Sequence, residues 1–319
     1  MGVHRFAVAT ALATFCLLVA GGLVSTTESG LACPDWPLCE GQYFPKMVGG
    51  KLFEHGHRLV AGTVAVMTFA LSFLLFKYRR RDSALIRLGL IASALVVVQA
   101  LLGALTVKLR LPPWVSSLHQ ATAMAFFCLI ISLAFLTRQR LPDAPAPAAC
   151  SDLGFRRRLG HFTLAVIALT YLQIVVGAVM RHARAGLACG YDFPLCQGQI
   201  WPAGAHWGVQ VHVLHRLSGF VVGIGVVALA LWVWGHRPAR RGLRFLSAAA
   251  AVIVLCQVSL GIAVIFTSRE LVTMTLHSAL GAALLANLLA LYWIAQPSRL
   301  RQPSTPQADH AAAASLEAV

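Results

Sequence analysis

Long apolar runs separated by short polar or basic joints set the pattern of this chain. Eight runs, at about 6–25, 57–76, 84–106, 114–137, 159–180, 211–234, 243–266 and 271–295, are each long enough to cross a hydrocarbon layer, which takes about 20 apolar residues per helix. The first run follows His4 and Arg5 and so looks like a signal peptide, but its repeat partner in the fifth run marks it as a mature helix. Between the fourth and fifth runs, Leu-Pro-Asp-Ala-Pro-Ala-Pro-Ala-Ala begins at Leu141 and reads as a linker. The chain thus divides into 1–140, a joint at 141–158, a second half at 159–296, and a tail at 297–319 whose prolines and alanines predict disorder. Four helices per half is an even number, so both halves enter from the same face, as in a parallel repeat. The expected fold is an all-α integral membrane protein of eight transmembrane helices. They form two tandem four-helix bundles related by a pseudo-twofold axis along the membrane normal.

Composition and charge sharpen this picture. With 58% hydrophobic and 12% charged residues and a mean hydropathy of +0.73, the chain is too apolar for a soluble domain of its size, so the lipid bilayer is its solvent. A net charge of +15 would suit nucleic acid, but its distribution excludes that partner. Lys77, Arg79, Arg80, Arg81 and Arg87 follow the second run; Arg138, Arg140, Arg156, Arg157 and Arg158 flank the central joint. Arg237, Arg240, Arg241 and Arg244 follow the sixth run, and Arg299 and Arg301 the last. If the runs alternate in direction, all of these lie on one side, as the positive-inside rule requires. Both termini are then cytoplasmic, in a bacterial-type cytoplasmic (inner) membrane. The two long loops, at about 26–56 and 181–210, face the external or periplasmic side.

The two halves repeat, and the repeat lands histidine on histidine. A shift of 158 positions carries His57 to His215 and His119 to His277. It also carries Arg58 to Arg216, Gln99 to Gln257 and Gly103 to Gly261. Each half therefore places two histidines near the outer ends of its second and fourth helices, where they can face each other across a bundle core and hold one haem iron from both sides. Zinc would want three or four converging ligands, and no Cys-x-x-Cys-His is present for covalent haem attachment. Ionisable groups at membrane depth are costly and tend to be functional. Arg58 and Arg216 are candidates for holding haem propionates, or for anchoring the helix ends by snorkelling.

The outer loops repeat as well. Cys33-Pro-Asp-Trp-Pro-Leu-Cys39 answers to Cys189-Gly-Tyr-Asp-Phe-Pro-Leu-Cys196, in a compartment that permits disulfides. The pairs Cys33–Cys39 and Cys189–Cys196 could shape a lid over each site or act in redox chemistry; such short loops gain little chain entropy from closure. Cys16, Cys128 and Cys256 fall within apolar runs and read as inert, and Cys150 reads as a free thiol on the reducing side. One position breaks the symmetry. Glu54, three residues before His57 and so on its helical face, is replaced by His212 in the second half. A carboxylate beside one haem only could accept a proton or stabilise positive charge at a neighbouring carbon. The first half is then the reactive site and the second the resident one. His55, His182, His206 and His236 lack repeat partners and carry no assigned role.

Eight runs in two repeats, Glu54-x-x-His57-Arg58, His119, His215-Arg216, His277 and the cysteine-paired loops resemble the haem A synthase family over roughly residues 6–295. The resemblance implies an oxidoreductase that converts the C8 methyl of haem O to a formyl group, yielding haem A for cytochrome oxidases. It further implies that Glu54, His57 and His119 line the pocket of the substrate haem O, and that His215 and His277 ligate a haem b cofactor. A haem O synthase and an electron-transfer partner are candidate partners, and self-association is left open. Two rival functions use the same features. A dihaem b-type cytochrome passing electrons from quinol would need the four histidines but no unmatched Glu54. A parallel-repeat transporter would be expected to break helices at mid-membrane with proline or glycine, and no proline interrupts a run centre.

Overall fold

The computed structural model describes residues 2–80, 82–139, 153–236, 239 and 241–296. They form eight helices: α1 (Gly2–Thr26), α2 (Gly50–Tyr78), α3 (Ser83–Lys108), α4 (Pro113–Gln139), α5 (Leu153–His182), α6 (Trp207–Gly235), α7 (Arg241–Phe266) and α8 (Leu271–Ala295). All eight are long and apolar enough to cross a membrane, so the chain is a multi-pass membrane protein. Most of the joint and the whole tail, with Cys150, lie outside the described residues.

Helices α1, α2, α5 and α6 start four or more residues earlier than hydropathy alone marks them. At α2 the polar first turns are helical because Glu54 and His55 are buried beneath the outer loop rather than in lipid. His206 caps α6, its Nδ1 accepting from Gly208 N–H at 3.2 Å. The α5 helix begins at Leu153, so 153–158 is helix rather than joint. The reason is packing: Phe155 is 2% exposed and stacks on His236 with ring centroids 3.6 Å apart, and Arg156 Nε donates to Ala295 O at 2.9 Å. Asp82 and Glu270 cap α3 and α8 by accepting from Leu85 and Thr273 N–H.

Helix packing follows the halves. In the first, α1 packs on α2 and α4, and α3 on α2 and α4; in the second, α5 packs on α6 and α8, and α7 on α6 and α8. Across the seam, α4 meets α5, α1 meets α8, and α4 meets α8. Exchanging the halves maps this pattern onto itself. The seam is partly polar, with Tyr171 Oη donating to Ala121 O at 2.9 Å and Trp293 Nε1 to Ser132 Oγ at 3.1 Å. Cys16 and Cys256 are exposed on helix surfaces that would meet lipid, and Cys128 is half-buried.

The two long loops, α1–α2 and α5–α6, each carry a disulfide, Cys33–Cys39 and Cys189–Cys196. Both fold the same way. Cys39 pairs with Gln42 through two backbone bonds, and Cys196 with Gln199. Gly41 and Gly198 both sit at φ 72°, a left-handed conformation that a side chain would strain. Asp35 accepts from Gly41 N–H at 2.8 Å and Glu40 N–H at 2.6 Å, and Asp192 from Gly198 N–H at 2.8 Å. These amide bonds, Gly41's foremost, hold the Asp35 carboxyl below its ordinary value. A depressed carboxyl pKa stabilises the loop above the unfolded value of about 3.9, and that contribution fades as pH falls through the lowered folded value. Protection of Gly41 N–H relative to its intrinsic exchange rate is therefore expected to fall below about pH 4 in the parent, while Asp35→Asn lacks that protection at neutral pH too. Equal protection in both proteins would remove Asp35 from the loop's support.

Candidate functional site

One cavity of about 940 Å³ runs between the two halves, near the upper end of what single ligand pockets occupy. His57, His119, His215 and His277 all line it, with Glu54, Arg58, His212 and Arg216. The histidines proposed from the repeat are thus brought to one chamber.

Each imidazole lies against a glycine on a neighbouring helix. A Cβ on Gly21 would stand 3.2 Å from His57 Nε2, and one on Gly103 3.5 Å from His119 Cε1. The second half matches: a Cβ on Gly177 would stand 2.8 Å from His215 Cε1, and one on Gly261 3.1 Å from His277 Cε1. Glycine at these positions is what lets the rings sit close to the helix backbones. The rings of His215 and His277 have centroids 6.4 Å apart at an interplanar angle of 75°. That spacing leaves room for one metal ion bonded at about 2 Å to the near nitrogen of each ring. The residues present fit a bis-imidazole haem.

The glutamates and arginines divide between loop and chamber. Glu54 is 4% exposed; its Oε2 accepts from Cys33 N–H at 2.7 Å and its Oε1 from Arg58 Nη2 at 2.6 Å. Arg58 also donates to Asp35 O at 2.7 Å, Leu38 O at 2.5 Å and Cys33 O at 3.3 Å. Its guanidinium is engaged in tying the cysteine loop to α2, and the four residues that bind its two terminal nitrogens leave little for a propionate. Arg216 repeats the arrangement with Asp192 O and Leu195 O, both at 2.7 Å, while its Nε donates to His212 Nε2 at 3.1 Å. With His212 in place of a carboxylate, Arg216 Nη2 has no partner among the described residues. Among the described residues the second arginine keeps a whole terminal nitrogen spare, whereas both terminal nitrogens of the first are taken.

Other cavity residues escaped the sequence reading. Arg181, at the outer end of α5, donates to Ser278 Oγ, and Arg269 lies within electrostatic reach of it. Both line the cavity, and no carboxylate pairs with either among the described residues. Two unpaired cations beside His215 and His277 make a seat for anionic groups. His182 also reaches the chamber, whereas His55 latches the loop through Nε2 and Tyr43 O at 2.8 Å. His206 and His236 serve the helix ends described above. The missed signal was a change of offset. Between α1 and α5 the repeat runs at 156 positions, as in Cys33 to Cys189, because the second loop is longer. At 156, Gly21 finds Gly177.

A family model described as a cytochrome oxidase assembly protein, COX15-CtaA, matches residues 4–49 and 47–289. The chain belongs to the COX15-CtaA family. Among relatives of this COX15-CtaA protein, one from Halalkalibacterium halodurans named "Heme A synthase" is 30% identical over 91% of this chain and 95% of its own length. Another so named, from Geobacillus kaustophilus, is 30% identical over 96% of this chain and 95% of its own. A third, from Shouchella clausii, is 29% identical over 90% of this chain and 95% of its own.

Proposed function

We propose that this COX15-CtaA protein is a haem A synthase, which oxidises the C8 methyl of haem O through an alcohol to a formyl group. The observation that carries the reading is the asymmetry of one chamber: two histidine pairs, with a buried carboxylate beside the first and unpaired cations beside the second. His57 and His119 would hold the substrate haem O, and Glu54 would take protons from the methyl carbon or stabilise positive charge there. Arg58 and Cys33 N–H hold that carboxylate at the chamber wall. In the second half, His215 and His277 would ligate haem b, with Arg181, Arg269 and the spare donor of Arg216 seating its propionates. When bound, haem b would supply a one-electron carrier for the electrons withdrawn from the methyl. The two four-helix rings, their twofold relation and a cytoplasmic position for both termini belong to this proposal. They are supported by the packing pattern and by the basic residues at the ends opposite the cysteine loops. The disulfides brace the lid, since Arg58 and Arg216 bind carbonyls within each closed loop. A plain dihaem electron carrier is disfavoured, because it has no use for a carboxylate at one site alone.

The test is extraction of the haems from protein purified out of cells that make haem O. Haem b together with haem O and haem A supports synthesis; haem b alone, or colourless protein, defeats it. Arg181→Leu is expected to lower retention of haem b by about tenfold or more, the worth of one charge-assisted bond, while haem O stays bound. Undiminished haem b in that variant would move the propionates elsewhere.

A further inference from the structure

A glutamine lies against three of the four imidazoles; a ring that ligates through Nε2 carries its proton on Nδ1, and the amide oxygen of such a side chain can turn to accept it. The Gln99 amide lies 3.1 Å from His119 Nδ1 and is itself fixed by Thr122 and by Ala123 N–H at 2.9 Å. The Gln173 amide lies 3.1 Å from His215 Nδ1, donates to His215 O at 2.8 Å, and is fixed by Ser218. His277 Nδ1 is 3.1 Å from Gln257 O, with the Gln257 amide 3.5 Å from Nε2. The His57 ring makes no hydrogen bond among the described residues. The repeat explains why: Leu17 stands where the second half has Gln173, and Val60 where it has Ser218. The surrounding charge differs in the same sense. Arg181, Arg184 and Arg269 line the chamber where the first half has Ser25, Glu28 and Leu111, against one exchange the other way, Arg110 where the second half has Ser268.

We infer that His57 is a releasing ligand: the first half is built to let its porphyrin come and go and to open a coordination position on the His57 face, with Leu17 and Val60 as the residues that leave this ring unsteered. Partners that orient a ligating imidazole typically change metal affinity by about 10- to 100-fold. An imidazole without them pays the full rotamer cost at each rebinding. Leu17 and Val60 act through His57 and are positioning residues. The second half, by contrast, combines steered ligands with cations and retains its group.

The inference rests on the haem A synthase reading, and its test separates the two. In protein carrying both His215→Ala and His277→Ala, any haem retained after loading with haem O sits between His57 and His119. Carbon monoxide is added to the reduced protein and the Soret shift is followed. Rapid uptake is expected, and adding Leu17→Gln with Val60→Ser should slow it by about 10- to 100-fold by holding His57 in place. The reciprocal pair, Gln173→Leu with Ser218→Val in the otherwise intact chain, should let carbon monoxide reach the resident haem. Retained haem whose uptake is unchanged by the first pair overturns the inference, as does a resident haem that stays closed with the second pair. Absence of haem from the double-alanine protein overturns the functional reading and this inference with it.

Discussion

Glu54→Gln is expected to abolish haem A formation, by about 100-fold or more, in a protein that still carries haem at both sites. Glutamine keeps the shape and one carbonyl acceptor, so one of the two bonds, from Cys33 N–H or from Arg58, can persist, and the loop carbonyls that accept from Arg58 keep the loop docked. What it loses is the capacity to take a proton or to place a full negative charge near the reacting carbon. Glu54→Ala removes the docking as well. It leaves the Arg58 guanidinium, whose side chain is 12% exposed, without its carboxylate, and stripping one partner from a buried pair costs about 3–5 kcal/mol when nothing replaces it. The three loop carbonyls that still accept from Arg58 should lessen that cost. Comparing haem products, haem content and thermal unfolding of the two variants separates the chemical role from the structural one. Normal haem A yield from Glu54→Gln would remove the carboxylate from the chemistry.

Gly177→Ala should empty the resident site. A methyl there would stand 2.8 Å from His215 Cε1 and 3.2 Å from its Nδ1, closer than nonbonded carbons approach. The ring cannot turn aside freely, because the Gln173 amide is 3.1 Å from Nδ1 on the same imidazole. His215 must shift, and a displaced ligand is expected to weaken haem b binding by about 10- to 100-fold. The remaining cradles provide a graded series. Gly261→Ala, with its methyl 3.1 Å from His277 Cε1, should do less harm; Gly103→Ala, at 3.5 Å from His119, makes an ordinary contact; Gly223→Ala meets nothing within 4 Å. Haem b per protein after purification reads the second-half members, with Gly223→Ala as the control, and retained haem O reads Gly103→Ala. Full occupancy in Gly177→Ala would show that the ring does not need its place against the α5 backbone.

Much of this architecture is legible in the residues. Hydropathy marks all eight helices, since lipid selects on bulk apolarity. It misses the first turns of α2, where Glu54 and His55 are buried by the loop instead, and of α6, which His206 caps. The four histidines, Glu54 and the cysteine pairs stand out because a fixed offset superimposes the halves. Gly21 and Gly177 do not, because the offset drifts from 156 to 158 across the longer second loop, and Gln173, Arg181 and Arg269 do not, because the first half has Leu17, Ser25 and Leu111 in their places. Arg58 was chemically ambiguous: a guanidinium suits a propionate and a carbonyl equally well, and only the path of the loop over α2 shows which acceptors reach it.

The seam between the halves has a consequence for origins. Because α4 meets α5 as α8 meets α1, with α4 also against α8, the contact pattern matches, helix for helix, the kind that two identical chains form about a dyad. A solitary four-helix unit carrying this surface would pair with another copy of itself. The present chain has the form of such a homodimer fused end to end, after which its two pockets were free to diverge.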